Sequence, residues 1–463
     1  MRIILMSGGS GKRLWPLSND IRSKLFLKLL PGPDGTRESM MQRLCRQLSE
    51  ANLLDGAIIV THDSQAEITL AHAGSGVPIV KEPEKRGTFM AAALGAAYLS
   101  GPGGAEPDET VCLLPVDLFV QPDFFELLRR LPEALDQGAD LAMIGTEPTY
   151  PSSQYGYIVP GRTRRRGSQA KRSMGGNGDA AAARGWTAVE RFAEKPDPPM
   201  AARLMKQGAL WNCGVFAFRL GWLLGQLEGK GCPSQMGRLS ELYAELADRS
   251  FDQEIAEQTE RRMVLRYSGE WHDLGSWSTF LRQLGDVQLG PGSVSGEASN
   301  THLINELDSP IHIIGLPDAI VAASPDGILV ASKEKSDWIK GVLSGERRPP
   351  MQEEKRWGSS RTLELASLES GEEIAVRRIV IHAGKCTSYH LHQHKGEIWT
   401  VISGSGQFML EDEIDVIAPG DVMRFPAGSR HGVKAAAELH CMLVEIGRLP
   451  VGGKDIERLL MSW

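Results

Sequence analysis

Three groups of residues in this 463-residue chain have the types and spacing of chemical sites. The first is Gly8-Gly9-Ser10-Gly11-Lys12-Arg13, which follows the apolar run Ile3-Ile4-Leu5-Met6. Glycines at the end of a strand let backbone N–H groups approach a polyphosphate closely, and adjacent cations neutralise its charge. The loop is not a P-loop: Arg13 stands where Ser or Thr should follow Gly11-Lys12, and Met6 where the first glycine belongs. Nor is it the dinucleotide fingerprint, because Leu14 replaces the third glycine. The second group is a pair of carboxylates, Asp117 after Leu113-Leu114-Pro115-Val116 and Asp273 within Trp271-His272-Asp273-Leu274-Gly275. Either could serve singly as a turn or cap residue; together with substrate phosphates they suit Mg²⁺, a cation that keeps oxygen ligands and water. The third group is His390, His392, Glu397 and His431. Histidines two apart on a strand share a face, and three imidazoles with a carboxylate suit a divalent transition metal such as Zn²⁺.

These groups need elements to hold them. From Met1 to about Leu284, strand-like runs (58–61, 78–80, 111–114, 141–145) alternate with helix-like stretches such as 89–99. That alternation predicts an α/β fold, a Rossmann-like domain over 1–285 with a mixed, mostly parallel sheet. Asp117 then falls just past a buried strand, where open α/β sheets bind ligands. Inside this domain, 161–185 is rich in Arg, Gly, Ser and Ala and predicts a mobile surface loop. Composition shifts to Gly, Ser and Pro around 287–299, so 286–346 is read as a small β-rich connecting domain, a left-handed β-helix being one architecture open to it. The charged, proline-bearing stretch 347–356 reads as a linker. Beyond it, to 463, short strands and Gly turns predict a β-barrel.

A net charge of −7 gives no reason to expect nucleic acid or an anionic membrane as partner. No apolar stretch approaches the roughly 20 residues of a membrane span. Six scattered cysteines without Cys-x-x-Cys pairs read as reduced thiols of a cytoplasmic protein.

The glycine loop with Arg13-Leu14-x-Pro16-Leu17 resembles the signature loop of the sugar-phosphate nucleotidyltransferases, and Trp15-Pro16-Leu17-Ser18 resembles their mannose-1-phosphate guanylyltransferase branch. The resemblance extends over most of residues 1–340 and implies roles residue by residue. Gly8, Gly9, Gly11, Lys12 and Arg13 would hold the nucleotide's phosphates. Ser23-Lys24-Leu25-Phe26-Leu27 is similar to Pro-Lys-Gln-Phe-Leu, implying that Lys24 contacts substrate phosphate. Glu82, Arg86 and Thr88 stand in a segment similar to Glu-Pro-x-x-Arg-Asn-Thr, near the base. Tyr155-Gly156-Tyr157-Ile158 matches Tyr-Gly-Tyr-Ile, and Phe192-Ala193-Glu194-Lys195-Pro196 matches Phe-x-Glu-Lys-Pro. There the glutamate holds sugar hydroxyls and the lysine the sugar phosphate. Trp211-Asn212-Cys213-Gly214 resembles Trp-Asn-Ser-Gly, with Asn212 near the sugar. Asp117 and Asp273 would share Mg²⁺, while Arg13 stabilises charge building between α-phosphate and pyrophosphate. Departures from the family pattern (Leu118 for His, Leu25 for Gln, Ser23 for Pro, Gly87 for Asn) remove no charge the reaction needs.

Gly384, His390, His392, Glu397 and Gly404, then Gly420, Pro426, Gly428 and His431, are spaced as the two cupin motifs. The barrel resembles the isomerase domain of bifunctional type II phosphomannose isomerase/guanylyltransferases, with Arg356-Trp357-Gly358-Ser359 and Gly453-Lys454-Asp455-Ile456 as further matches. Lys395 and Ile398 replace that family's Arg and second His near the glutamate, and His390 its Gln. Lysine is a poor stand-in for a bidentate arginine. Two outcomes stay open for the barrel: isomerisation of mannose 6-phosphate, or a metal-stabilised regulatory module. The expectation is a homodimeric enzyme making GDP-mannose from GTP and mannose 1-phosphate, as in polysaccharide biosynthesis. The alternatives are another nucleotide and hexose 1-phosphate pair, or a sugar-nucleotide sensor with a degraded site.

Overall fold

The structure is a computed structural model that describes residues 1–9, 11–161, 185–285, 287–343, 349–448 and 455–463. Ser10, the side chain of Lys12, residues 162–184 of the basic stretch, Asp286, the linker residues 344–348, and 449–454 with Gly453-Lys454 lie outside the described residues. The chain divides into two compact units, Met1–Gly9 with Lys28–Gly275, and Ser10–Leu27 with Ser276–Trp463.

The first unit is built on a mixed sheet of nine described strands. Their order is Ile79–Glu82, Ala57–His62, Arg2–Ser7, Thr110–Pro115, Leu210–Arg219, Leu141–Thr146, Arg262–Tyr267, Trp186–Ala193 and Tyr157–Pro160. The first four pair in parallel, as the sequence alternation predicts. Antiparallel pairing is more prominent than expected, because Leu210–Arg219 enters between Thr110–Pro115 and Leu141–Thr146 in the opposite direction. The central strands are buried on both faces and are therefore largely apolar through their middles, which removes the alternation typical of an antiparallel strand with one solvated face. The helix Gly87–Ser100, apolar almost all round, packs into this core beside Ile4 and Val60. The helix Met40–Glu50 opens with a capping box in which Ser39 Oγ accepts from Gln42 N and Gln42 returns a bond to Ser39 N.

In the second unit, short parallel strands stack as successive coils. Gln288–Leu289, His302–Asn305 and Ala319–Ser324 form one ladder, and Gly292–Val294 with Ile311–Ile313 another. The hairpin strand Gly327–Ser332 ends the first ladder. The C-terminal part holds two antiparallel sheets, of six and five described strands, around Ile379, Trp399, Phe425, Val433 and Leu443. The stretch read as a linker corrects to a strand in its second half: Gln352–Lys355 pairs with Gly358–Ser367 at the edge of the six-stranded sheet. An edge position tolerates charged side chains, and these are paired, Glu354 with Arg22 and Lys355 with Glu353.

Candidate functional site

Parallel pairing of Arg2–Ser7 with Thr110–Pro115, in register Met6 to Pro115, sends Gly8-Gly9 and Asp117 out of the carboxyl ends of neighbouring strands. Val116 N donates to the Met6 carbonyl at 3.3 Å and extends that alignment past the strand. Gly9 has φ +146°, a conformation L side chains rarely adopt, and both glycines are exposed. Asp273 reaches the same place by a different route. The strand Trp271–Asp273 pairs antiparallel with Leu118–Val120, and Asp273 stands opposite Leu118. The two carboxylates, some 150 residues apart in sequence, are thus near neighbours, both half-buried.

They line one cleft of about 160 Å³ together with Pro115, Tyr155, Gly156, Glu194, Asn212 and Asp252. An aromatic wall closes one side, with Tyr155 ring centroids 4.9 Å from Trp211 and 5.3 Å from Trp271. A β-bulge between Asn212 and Phe216 turns the chain at Gly214, whose N–H donates to Asn212 Oδ1 at 3.0 Å. Asn212 Nδ2 in turn donates to Asp252 Oδ1 at 3.0 Å. Glu194 is buried and pairs with the exposed Lys195 at 2.8 Å, and Lys195 holds φ +44°. Desolvation, then the charge of Glu194, pushes the Asp252 carboxyl up to about 6, against the pull of Lys195. Sequence reading missed Asp252: it lies in a segment matched to no motif, and only the fold brings it to Asn212. Oxygen donors of this kind fit a hard divalent cation at Asp117 and Asp273 and hydroxyls at the Glu194 end.

The segment read as base-proximal has internal duties. Glu82 is buried and accepts from Tyr243 Oη at 2.7 Å and from Arg86 N at 3.3 Å; burial raises its carboxyl above the usual range. Arg86 pairs with Glu84 at 2.6 Å, and Thr88 Oγ1 accepts from Phe251 N at 2.9 Å. In the second unit, Gly11–Leu14 forms a 3-10 turn with Arg13 exposed, its charge felt by Asp337. Lys24, half-buried, opens a second such turn, Lys24–Phe26.

The barrel's four candidate ligands converge as their spacing predicts. His390, His392, Glu397 and His431 are all buried, with one ligand atom each lying within 4.8 Å of the others. His390 Nδ1 lies 2.7 Å from the Ser388 carbonyl and His431 Nδ1 3.0 Å from the Ser429 carbonyl. A carbonyl only accepts, so both Nδ1 atoms carry the proton and both Nε2 lone pairs are left for a metal. His392 Nε2 is 3.1 Å from Glu397 Oε1, and its Nδ1 is 3.6 Å from Asp455, a buried carboxylate with no role assigned from sequence. Desolvation, then His431, pushes the His390 imidazolium down to about 3, keeping it neutral as a ligand must be. Burial alone would raise Glu397, but His392, His431 and Lys395 together hold it well below the usual carboxylate range. Trp399 Nε1 donates to Glu397 at 2.8 Å, and Phe425 stacks on His431. The donor set fits a divalent transition metal.

A family profile described as nucleotidyl transferase matches residues 2–288, and one described as cupin domain matches 377–447. The xanthan biosynthesis protein XanB of Xanthomonas campestris is 28% identical, with 98% of this chain and 96% of that protein aligned. The alginate biosynthesis protein AlgA of Pseudomonas aeruginosa is 27% identical, with 98% and 95% aligned. A mannose-1-phosphate guanylyltransferase of Sinorhizobium fredii is 26% identical, with 97% and 89% aligned. Among solved structures, one from Thermus thermophilus, named as a mannose-1-phosphate geranyltransferase, superposes with a TM-score of 0.60 at 26% identity, covering 74% of this chain and 98% of that one. Among the described residues, no helix is long and apolar enough to cross a membrane.

Proposed function

This chain belongs to the nucleotidyl transferase family, in the cupin-bearing branch of mannose-1-phosphate guanylyltransferases, and we propose that it joins GTP and mannose 1-phosphate into GDP-mannose and pyrophosphate. The observation that carries this reading is the pairing of Leu118 with Asp273, which sets two carboxylates beside the exit of Gly8-Gly9. A divalent ion bound by Asp117 and Asp273 would offset charge on the α-phosphate. The remaining work falls to the chain itself. Gly8, Gly9 and Gly11 offer backbone N–H groups to phosphates, with Lys12 and Arg13 as neighbouring cations. Glu194, Asn212 and the Gly156 backbone hold the sugar, while Lys195 and Lys24 hold its phosphate. The sugar phosphate's oxygen is already ionised near neutral pH, so it attacks the α-phosphorus without a general base, and pyrophosphate leaves with the electron pair. Positioning and charge neutralisation then supply the rate. We place the reaction in the cytoplasm, a reading consistent with six buried, free cysteines. Functionally we divide the chain at about 285 and 346 into transferase, connecting and cupin domains.

The test is pyrophosphate release across four nucleoside triphosphates and several sugar 1-phosphates. Preference for GTP with mannose 1-phosphate supports the reading; equal or better turnover with another pair reassigns the substrates.

For the cupin we propose a divalent transition metal at His390, His392, Glu397 and His431. One observation favours a regulatory over a catalytic barrel. Lys395, a cation beside the cluster, is engaged by Glu445 and sits 3.7 Å from Glu397 Oε1, rather than being free for a substrate phosphate. Metal-loaded protein that converts fructose 6-phosphate to mannose 6-phosphate above background would restore the isomerase reading.

A further inference from the structure

The second unit contains a short piece of the N-terminal sequence, and it grips that piece through one arginine. Arg22, buried, spends its guanidinium on two carboxylates remote in sequence. Nη1 and Nη2 donate in parallel to Glu306 at 2.7 and 2.9 Å, and Nε donates to Glu354 at 3.1 Å. Nη1 also reaches the Leu17 carbonyl at 3.2 Å. These partners lie 284 and 332 residues away, one in the connecting segment and one on the first barrel strand. The backbone of Arg22 is held as well. Asn19 Oδ1 accepts from Arg22 N at 2.7 Å and Asn19 N donates to Arg22 O at 2.9 Å, closing a tight turn. Asn19 Nδ2 then ties that turn to Asp326 at 2.8 Å and to the Gln352 carbonyl at 3.0 Å. Asp326 completes the ring by accepting from Met351 N at 2.7 Å. Ahead of the turn, Gly327 (φ +148°) packs so closely on Trp15 that a Cβ there would lie 2.5 Å from the indole.

A buried ion pair contributes little net stability once desolvation is counted, but its partners enforce one geometry. What this geometry fixes is Lys24, two residues past Arg22, and the turn that begins at it, where Phe26 N donates to Ser23 O. We propose that Arg22, clamped by Glu306 and Glu354, is a positioning residue for nucleotidyl transfer, so that the connecting segment and the first barrel strand govern the transfer step by holding Lys24 in place. This rests on the phosphate-binding role read above for Lys24.

The test uses full-length wild type, Arg22→Lys, Glu354→Gln and Glu354→Ala, with folded fraction and barrel metal content measured for each. Lysine keeps the charge and loses the fork, while glutamine keeps an acceptor for Nε. The expected result, per mole of folded protein, is kcat reduced about tenfold or more in Arg22→Lys and Glu354→Ala and partly rescued in Glu354→Gln. Amide hydrogen exchange should quicken over residues 14–27 in the two weaker variants. A purely stabilising clamp would leave the folded fraction turning over at the wild-type rate, and that result, or unchanged exchange over 14–27, overturns the proposal. If wild type itself releases no pyrophosphate with any substrate pair, the role read for Lys24 fails first, and the proposal with it.

Discussion

Gly156→Ala separates a catalytic role for the cleft from a merely structural one. A Cβ added at Gly156 would lie 2.7 Å from Glu194 Oε2 and 3.0 Å from the Phe192 ring edge, while Asn212 Cβ, at 3.4 Å, is in ordinary contact. The Glu194 carboxylate must therefore retreat by about 0.7 Å, against the hold of Lys195 on its other oxygen. Because the group that yields is the end of a side chain, the stability cost should stay near the low end of overpacking, about 1 kcal/mol. The catalytic cost should be larger. Misplacement of a substrate-holding group by about 1 Å can cost about a hundredfold. Here kcat/KM for the sugar 1-phosphate should fall about tenfold to a hundredfold, or about 1.4–2.7 kcal/mol of transition-state binding. Pyrophosphate release at saturating nucleoside triphosphate and varied sugar 1-phosphate measures it, with thermal unfolding alongside. Wild-type kcat/KM in a folded Gly156→Ala protein would refute the placement of Glu194 against the sugar.

Asp252 predicts a pH signature. Its carboxyl is raised to about 6 in the fold against about 3.9 unfolded, so the native state binds the extra proton between these values. Stability should fall as pH rises from about 4 to 6 and level off above. Asp252→Asn should lose that slope and gain up to about 2 kcal/mol at pH 7, read by urea unfolding at several pH values; a slope equal to wild type would reassign the raised group. In the barrel, Glu397→Ala should weaken metal affinity at least about a hundredfold, leaving purified protein with little bound metal by elemental analysis. Chelation should lower the wild-type barrel's melting temperature and leave that of Glu397→Ala unmoved; equal metal content in both would remove Glu397 from the ligand set.

Much of this architecture could be read from residue order because its signals are local. A strand running into Gly8-Gly9, and ligands spaced as His390-x-His392 with Glu397, carry their geometry in a few consecutive residues, and the buried four-residue cluster follows from it. What stayed hidden depends on distant partners. Gln352–Lys355 has the composition of a linker and is a strand through its pairing with Gly358–Ser367, with Arg22 and Asn19 bonded to it from far along the chain. Leu210–Arg219 gives no sign of its antiparallel direction, since burial on both faces leaves it largely apolar apart from Asn212 and the terminal Arg219. Asp252 looks like any surface acid until the fold puts it against Asn212. Thr88 and Arg86 carry family-like letters, yet their side chains bond Phe251 and Glu84 within the domain.

The proposed transfer chemistry requires Asp117 and Asp273 to act as one cation site. Steady-state transfer with Mg²⁺ should be compared for wild type, Asp117→Asn, Asp273→Asn and the double variant. Each single change should cost at least about a hundredfold in kcat, and the double should be no slower than the worse single, as for groups that work as a unit. Asp273→Asn turning over at the wild-type rate would contradict it.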